Sequence, residues 1–197
     1  THKNTSIKSI RDLQLAGKAV FLRLDFNVPI ENGKVLDDSR IVEALPTIQY
    51  AIEKGAKVVI GSHLGRPDGK RNPKYSLEPV ASHLSGLLGL EVMLADDCVG
   101  EGIELLVKSQ KSGSVLLLEN LRFHAGEEAN DHEFVSKLAA LCEIYVTDAF
   151  GTAHRKHAST YGLPALAPKK AMGFLIEKEL KYLEPLVKDP AKPFYAV

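Results

Sequence analysis

Tryptophan is absent from the 197-residue chain, and cysteine and methionine occur only twice each. Cys98 and Cys142 stand apart in the sequence, with no CxxC pair and no histidine cluster around them. Two such unpatterned cysteines are typical of a protein in a reducing compartment, where thiols stay unpaired. We therefore expect two buried free thiols rather than a disulfide.

Neither sign of charge is in excess, because 25 Lys and Arg residues balance 25 Asp and Glu residues. A dedicated nucleic-acid-binding protein normally carries a basic excess, so we expect no nucleic-acid partner. No apolar run approaches the roughly 20 residues that a membrane span needs. The polar segment Thr1–Lys8 also lacks the pattern of a secretory signal peptide. These absences predict a cytoplasmic domain without a membrane partner.

Three well-known catalytic and nucleotide-binding motifs are missing from the sequence. There is no GxxxxGK[ST] phosphate loop, no GxGxxG after the first apolar run and no GxSxG nucleophile turn. The sequence therefore argues against a P-loop nucleotidase, a classical NAD-dependent dehydrogenase and a hydrolase of the GxSxG type.

Short apolar runs rich in β-branched residues alternate with longer amphipathic segments along the chain. This alternation is typical of a parallel sheet whose strands are covered by helices on both faces. We expect a three-layer α/β/α fold, Rossmann-like, with a six-stranded parallel sheet. The predicted strands are Ala19–Leu24, Lys57–Ile60, Glu91–Leu94, Val115–Leu118, Ile144–Thr147 and Ala171–Phe174.

Several of the helical segments carry residues that favour helix ends. Ser39, Ser76 and Asp131 are candidate N-caps, and Gly89 is suited to a left-handed C-terminal residue. Pro46 falls inside the first segment, so that helix is either kinked or begins later than Ser39. The predicted helices are Ser39–Lys54, Leu77–Leu88, Val99–Lys108, His132–Leu141 and Ile176–Lys188.

Arginines follow three of the predicted strands, at the edge where open α/β sheets bind ligands. These are Arg66, Arg122 and Arg155, and Arg40 joins them from the start of the first helix. A guanidinium group is a planar fork of donors suited to phosphate and carboxylate. The pattern predicts a site for a small anion that carries more than one charged group.

Other polar residues at this edge allow two interpretations each. Asp25 and Asn27 could hold a hydroxyl group, or they could only form a turn with their own backbone. Gly65 could present its amide to an oxyanion or serve a plain turn. His154 and His157 are either structural or catalytic, and their spacing matches no metal-binding motif.

Six strings occur in order: FLRLDFNVP, DDSRIVEALPTI, GSHLGRP, LLLENLRF, AFGTAHRKHAST and GFLIEKELKYL. With them the chain, from about Ile7 to Val197, resembles the N-terminal half of the phosphoglycerate kinase family. The resemblance implies a substrate-binding α/β domain over residues 1–185. Residues 186–197 would then be a hinge and the start of a nucleotide-binding domain that this chain lacks.

The resemblance also implies a function and a set of site residues. The intact enzyme is a glycolytic phosphotransferase that interconverts 1,3-bisphosphoglycerate plus ADP with 3-phosphoglycerate plus ATP. This half would bind 3-phosphoglycerate or 1,3-bisphosphoglycerate, hold no metal and be inactive alone. Its own C-terminal domain would be its partner in a monomer and would bind Mg-ATP or Mg-ADP. Arg40 would be catalytic, and the implied substrate-binding residues are Asp25, Phe26, Asn27, Arg40, His63, Leu64, Gly65, Arg66, Arg122 and Arg155.

One alternative is a non-catalytic binding module for small phosphorylated acids. The end of the sequence bears on this choice, because Phe194–Val197 resembles a strand that is cut off. A free-standing receptor should complete its last element, whereas half of an enzyme should stop at a domain border. We therefore expect a second half beyond Val197 and favour the enzyme.

Overall fold

The computed structural model describes residues 8–149 and 155–188. Within these residues, seven strands form one parallel sheet and two further strands form a small antiparallel hairpin. In chain order the strands are β1 (Lys8–Ser9), β2 (Ala19–Arg23), β3 (Ile30–Glu31), β4 (Lys34–Val35), β5 (Lys57–Gly61), β6 (Val92–Leu94), β7 (Val115–Leu117), β8 (Ile144–Thr147) and β9 (Lys169–Met172).

The parallel sheet has the strand order β1-β9-β8-β2-β5-β7-β6, with β2 near its centre. From β2 the chain moves to β5 on one side, and from β8 it moves to β9 on the other. The direction of winding therefore changes between β2 and β8. Ligand sites in open α/β sheets lie outside the carboxyl ends of the strands at such a change.

Helices cover the sheet in the described parts of the chain. Short turns of 3-10 helix occur at Ile10–Asp12, Pro73–Tyr75 and Leu121–Phe123, and a π-helical turn spans Ala158–Gly162. The α-helices are α1 (Ser39–Glu53), α2 (Glu78–Leu88), α3 (Glu101–Ser109), α4 (Ala125–Ala129), α5 (His132–Ala139), α6 (Leu163–Leu166) and α7 (Phe174–Lys188).

Alternation along β2 shows how the sheet separates two hydrophobic cores. Val20 and Leu22 belong to the core that includes buried residues of α1 and α2. Ala19 and Phe21 belong to the opposite core, with buried residues of α3 and α5. Successive side chains of a strand point to opposite faces, so the sheet lies between two helical layers. This confirms the α/β prediction of a parallel sheet with helices on both faces.

The sequence predicted six strands, and the described residues contain a seventh in the parallel sheet. The additional strand β1 pairs with β9 at the edge of the sheet. With only two residues, β1 is too short to produce a hydrophobic pattern in the sequence. The sixth predicted strand, Ala171–Phe174, lies instead at Lys169–Met172, because α7 already begins at Phe174.

Helix ends agree with the sequence in two cases and differ in two. Ser76 is not the N-cap of α2, which is Leu77, although Ser76 Oγ accepts a bond from the Glu78 amide at 3.2 Å. Asp131 caps α5 by accepting a bond from the Phe134 amide at 3.2 Å, and Gly89 ends α2 with a φ of 67°. Ser39 is not the cap of α1, because it is already helical. Its amide donates instead to Asp37 Oδ1 at 2.9 Å.

Pro46 lies inside α1, which is assigned as one helix from Ser39 to Glu53. Helix α1 therefore does not begin later than Ser39. Proline has no amide proton, so the helix gives up one backbone bond at this point. The buried neighbours Ala44, Thr47 and Ile48 keep this stretch packed against the sheet.

Both cysteines are buried and free, as the sequence predicted. Burial raises the pKa of Cys142 to about 12 and raises that of Cys98 well above its ordinary value. In the described residues, no helix is long and apolar enough to cross a bilayer.

Candidate anion-binding site

Four neighbouring strands of the sheet carry polar residues just beyond their last residues. Asp25 follows β2, His63 follows β5, Asn120 follows β7 and Asp148 follows β8. Because these strands are parallel neighbours, their ends meet at one edge of the sheet, here called the carboxyl edge. The predicted site residues from the loops after β2, β5 and β7 therefore lie on one side of the molecule.

Arg40 links the loop after β2 to the start of α1. Its Nη1 donates to Asp25 Oδ1 at 3.2 Å and to the backbone oxygen of Asn27 at 2.8 Å. The Asn27 amide also donates to Asp25 Oδ1 at 3.0 Å, which is the turn that the sequence left open. The Arg40 side chain is 51% exposed, so it can still reach a ligand in solvent.

Gly65 holds the loop after β5 close to two site residues. Its amide donates to Asn27 Oδ1 at 2.9 Å, and its carbonyl accepts from Arg122 Nη1 at 3.1 Å. The residue has a φ of 61°, and a Cβ atom would clash with the ring of Tyr75. Glycine is therefore required here, and its amide is already occupied by Asn27 in this structure.

Asn120 is a fully buried residue that the sequence analysis did not select. Its Oδ1 accepts from the amides of Leu64 and Arg122 at 3.2 and 3.0 Å, and its Nδ2 donates to the Leu64 carbonyl at 2.7 Å. One side chain thus fixes both loops that carry the cationic residues. An amide residue directly after an apolar strand was the signal available in the sequence.

Arg122 is buried although it carries a charge, with only 6% of the residue exposed. Its Nε is buried without a hydrogen-bond partner and lies 3.9 Å from Glu128 Oε1, which is too long for a hydrogen bond. Burial lowers the pKa of Arg122. A buried unpaired donor costs free energy, so this geometry favours an added acceptor.

Arg23 and His63 form a buried pair beside Arg122. Arg23 Nη2 lies 3.1 Å from His63 Nδ1. A guanidinium group has no acceptor, so His63 Nδ1 must accept and the ring proton belongs on Nε2. Burial, followed by the charges of Arg23, Arg122 and Arg155, lowers the pKa of His63 to about 2. His63 is therefore a neutral group with one N–H to donate.

The charge of Arg23 is balanced through a serine. Arg23 Nε donates to Ser159 Oγ at 2.8 Å, and that hydroxyl donates to Glu127 Oε2 at 2.6 Å. The Ser159 amide also donates to Glu127 Oε1 at 2.6 Å. Sequence reasoning missed all three residues. The available signal was an arginine within an otherwise apolar strand.

The remaining predicted residues occupy different surroundings. Arg155 is exposed, and its charge lowers the pKa values of both His63 and Arg122, which places it on the same side. Arg66 is exposed on the loop after Gly65. The side chain of Phe26 is fully buried in the core, so only its backbone could meet a ligand. His154 lies outside the described residues.

A cavity of about 270 Å³ adjoins this site between α1 and α7. It is lined by Asp25 and Arg40 on one side and by Asp148 and Leu175 on the other. The cavity therefore connects the loop of Arg40 to the start of the last described helix.

A doubly wound sheet with cationic loops at its carboxyl edge defines an α/β protein suited to small anions. A family model described as phosphoglycerate kinase matches residues 10–197. The chain belongs to the phosphoglycerate kinase family, as its sequence motifs had indicated.

Curated relatives support the same assignment. The chain is 56% identical over 195 residues to the phosphoglycerate kinase of Anaeromyxobacter sp. (strain Fw109-5), covering 98% of this chain and 49% of that protein. It is 52% identical over 193 residues to a protein of Triticum aestivum named phosphoglycerate kinase, cytosolic, covering 98% of this chain and 48% of that protein. The chain thus spans about half the length of the curated relatives it matches.

Solved structures show the same half-length match. Phosphoglycerate kinase from Coxiella burnetii superposes with a TM-score of 0.85 at 44% identity, over 95% of this chain and 47% of that one. The enzyme from Pyrococcus horikoshii OT3 gives a TM-score of 0.84 at 39% identity and covers the same shares. The α/β fold described above is therefore that of the family's N-terminal half.

Proposed function

We propose that this chain is the substrate-binding half of a phosphoglycerate kinase and binds 3-phosphoglycerate or 1,3-bisphosphoglycerate at the carboxyl edge. The observation that carries the proposal is Arg122, a buried guanidinium with an unpaired Nε beside the neutral donor His63. A phosphate group supplies the acceptor oxygens that this arrangement lacks. The whole protein would transfer a phosphoryl group between 1,3-bisphosphoglycerate and ADP.

The non-transferred phosphate is assigned to three arginines and His63. Arg122 supplies buried donors, while the exposed Arg66 and Arg155 can move onto the ligand from two further loops. Each charge-assisted hydrogen bond contributes about 1.5–3 kcal/mol, so three arginines favour a dianion strongly. The backbone of Leu64 and Gly65 would lie beside this phosphate group.

The other end of the substrate is assigned to the loop after β2. Asp25 and Asn27, with the Phe26 backbone between them, would hold the hydroxyl end. Arg40 is already bonded to this loop and is half exposed, so it can face the carboxyl group and the phosphoryl group in transfer. Stabilisation of charge on that phosphoryl group makes Arg40 the proposed catalytic residue.

The Mg-nucleotide is assigned to residues beyond this chain. Carboxylates at the carboxyl edge already have protein partners, since Asp25 pairs with Arg40 and Asp148 accepts from Thr47 Oγ1 at 2.6 Å. Neither carboxylate is free to serve as a Mg²⁺ ligand without losing such a partner. In the intact enzyme Mg²⁺ would neutralise charge on the phosphates.

The proposal extends to the domain arrangement and the cell compartment. Residues 1–185 would form the substrate domain, and residues 186–197 would form the hinge to a C-terminal domain, its partner within a monomer. Residues 189–197, including the predicted strand Phe194–Val197, lie outside the described residues. The cytosolic name of the wheat relative supports a cytoplasmic location.

Titration of the chain with 3-phosphoglycerate by isothermal calorimetry tests the binding site. Arg122→Ala removes buried donors and is expected to raise Kd about tenfold or more. Lys57→Ala is the control, because Lys57 begins β5 at the opposite edge of the sheet and should leave Kd unchanged. An unchanged Kd in Arg122→Ala would contradict the proposed phosphate site.

A further inference from the structure

Three side chains with different metal-binding atoms meet in the loops that follow β6 and β7, and none of them is among the residues assigned to the substrate. Asp97 and Cys98 lie in the loop after β6, and His124 precedes α4. One ligand atom from each residue lies within 4.8 Å of the other two, and Asp97 Oδ1 is 2.6 Å from His124 Nε2. Their sequence spacing matched no metal motif, because folding brings the histidine from a separate loop.

We propose that Asp97, Cys98 and His124 form a binding site for a divalent transition metal ion of the zinc class. A carboxylate oxygen, a thiolate sulfur and an imidazole nitrogen are all ligands that Zn²⁺ accepts, whereas Mg²⁺ and Ca²⁺ take oxygen ligands. With three protein ligands, the fourth tetrahedral position is left for water.

To accept an ion between them, Asp97 Oδ1 and His124 Nε2, now 2.6 Å apart, would separate by about 1 Å. Ligand atoms around tetrahedral zinc stand about 3.5 Å apart, given bonds of about 2.0–2.3 Å. The His124 ring is stacked on Phe134 at 5.2 Å. On the other loop, Arg71 Nη1 donates to the Asp96 carbonyl at 2.6 Å. Both loops are therefore packed close to the three ligand atoms, so that only a small local adjustment brings these atoms to the spacing of a zinc site.

Burial gives the site an entrance and a closed side. Cys98 is fully buried, while the side chains of Asp97 and His124 are 41% and 34% exposed. An ion would enter between the carboxylate and the imidazole and meet the sulfur behind them. On binding, the Cys98 thiol would release its proton to solvent, and the thiolate and the Asp97 carboxylate would neutralise the two charges of the ion.

The chain contains a matched control pair without a cysteine. His83 Nε2 lies 2.8 Å from Asp38 Oδ2, with side-chain exposures of 34% and 40%. This pair has nearly the same length and exposure as His124 with Asp97. A difference in metal affinity between the two pairs therefore reports the contribution of Cys98 and of the three-ligand geometry.

Titration of the purified 197-residue chain with Zn²⁺, followed by Co²⁺ absorption spectroscopy, tests the site without any substrate. One equivalent is expected to bind, with a thiolate-to-cobalt charge-transfer band. Cys98→Ser should abolish that band, and His124→Gln should weaken Zn²⁺ binding about tenfold or more. His83→Gln and Cys142→Ser should leave both signals unchanged.

The variant His124→Gln, at a half-buried position, keeps the test decisive if Cys98→Ser does not fold. Absence of Zn²⁺ binding, a cobalt spectrum without the thiolate band, or unchanged affinity in His124→Gln would each overturn the proposal. The measurement involves metal alone, so its outcome is independent of 3-phosphoglycerate binding.

Discussion

His63 is a hydrogen-bond donor that brings no charge of its own to a cationic cluster. Arg23 fixes its ring from behind at Nδ1, and burial among arginines keeps the ring neutral. A protonated imidazole would add repulsion between like charges where Arg122 is already buried. The neutral ring therefore allows three arginines to gather around one anion with less mutual repulsion.

The depressed pKa of His63 makes stability depend on pH. Between about pH 6.5 and the folded value of about 2, the unfolded chain binds a proton that the folded chain excludes. The contribution of neutral His63 to the free energy of unfolding is therefore fully present above about pH 6.5 and is lost progressively as the pH falls below that value. Urea denaturation from about pH 7 to about pH 5 should show a steeper loss in the wild type than in His63→Gln.

Exposed His132 provides the control for this comparison. His132→Gln should keep the wild-type pH slope, because an exposed side chain has similar surroundings in the folded and the unfolded chain. Equal slopes in the wild type and His63→Gln would show that His63 does not exclude a proton on folding.

Replacement of Gly65 should damage the site through the backbone. Gly65→Ala places a Cβ against the Tyr75 ring at a φ of 61°, so the loop must shift. We expect a loss of about 1–3 kcal/mol in the free energy of unfolding and weaker 3-phosphoglycerate binding. Gly86→Ala is the control, because its Cβ would meet open space within α2. Calorimetry with 3-phosphoglycerate and urea denaturation of both variants check this prediction. Equal Kd values and equal free energies of unfolding in the two variants would contradict it.

Residues that could be predicted from sequence are those that follow strands. Asp25 and Arg122 were selected because parallel strands end at one edge, and Arg40 was selected because it begins the first helix beside that edge. Arg23 and Glu127 were missed because their importance depends on burial and on a contact through Ser159. Along the chain, Ser159 is 32 residues from Glu127 and 136 residues from Arg23. A contact of that kind has no local pattern.

The start of α7 is tied to α1 through a buried carboxylate. Asp148 accepts from Thr47 Oγ1 at 2.6 Å and from the Ile176 amide at 3.1 Å. Thr47 Oγ1 in turn accepts from the Phe174 amide at 3.0 Å. Burial raises the pKa of Asp148. The helix that carries Arg40 and the last described helix therefore share one polar anchor.

Thr47→Val removes the hydroxyl group from this anchor while keeping the shape of the side chain. We expect a loss of about 1–3 kcal/mol, because Asp148 and the Phe174 amide both lose a buried partner. Hydrogen exchange should become faster at the first amides of α7. Ser136→Ala, on an exposed position of α5, should change stability by less than about 0.5 kcal/mol. Unchanged exchange in Thr47→Val would refute the anchor.

Secondary structure was predicted where burial imposes a pattern. The central strands are apolar because helices cover both faces, and α5 begins at the predicted cap Asp131. Strand β1 and the hairpin of β3 and β4 were missed because each strand has only two residues. The pairing of these strands depends on residues that are close in space, and a two-residue segment carries no sequence pattern that indicates its partner.

The chain spans about half the length of its relatives, so its activity can be tested alone and in a mixture with the other half of a relative. The chain alone should form no ATP from 1,3-bisphosphoglycerate and ADP, and activity should appear when the other half of a relative is added. In that mixture Arg40→Ala should lower kcat more than it raises KM, because its contacts form chiefly in the transition state.

Lys57→Ala again serves as the control and should keep both constants. If Arg40→Ala changes KM alone, Arg40 does not have the proposed catalytic role. Failure of the mixture to form ATP, with 3-phosphoglycerate binding intact, would favour a non-catalytic binding module.

The central position of β2 has a consequence for synthesis on the ribosome. Strand β2 can pair with β5 as soon as residue 61 has emerged, but its other partner, β8, begins only at Ile144. During that interval the growing chain exposes one unpaired edge of an apolar strand. Such edges are templates for aggregation. We therefore expect a nascent chain stalled before Ile144 to bind chaperones that recognise extended apolar segments.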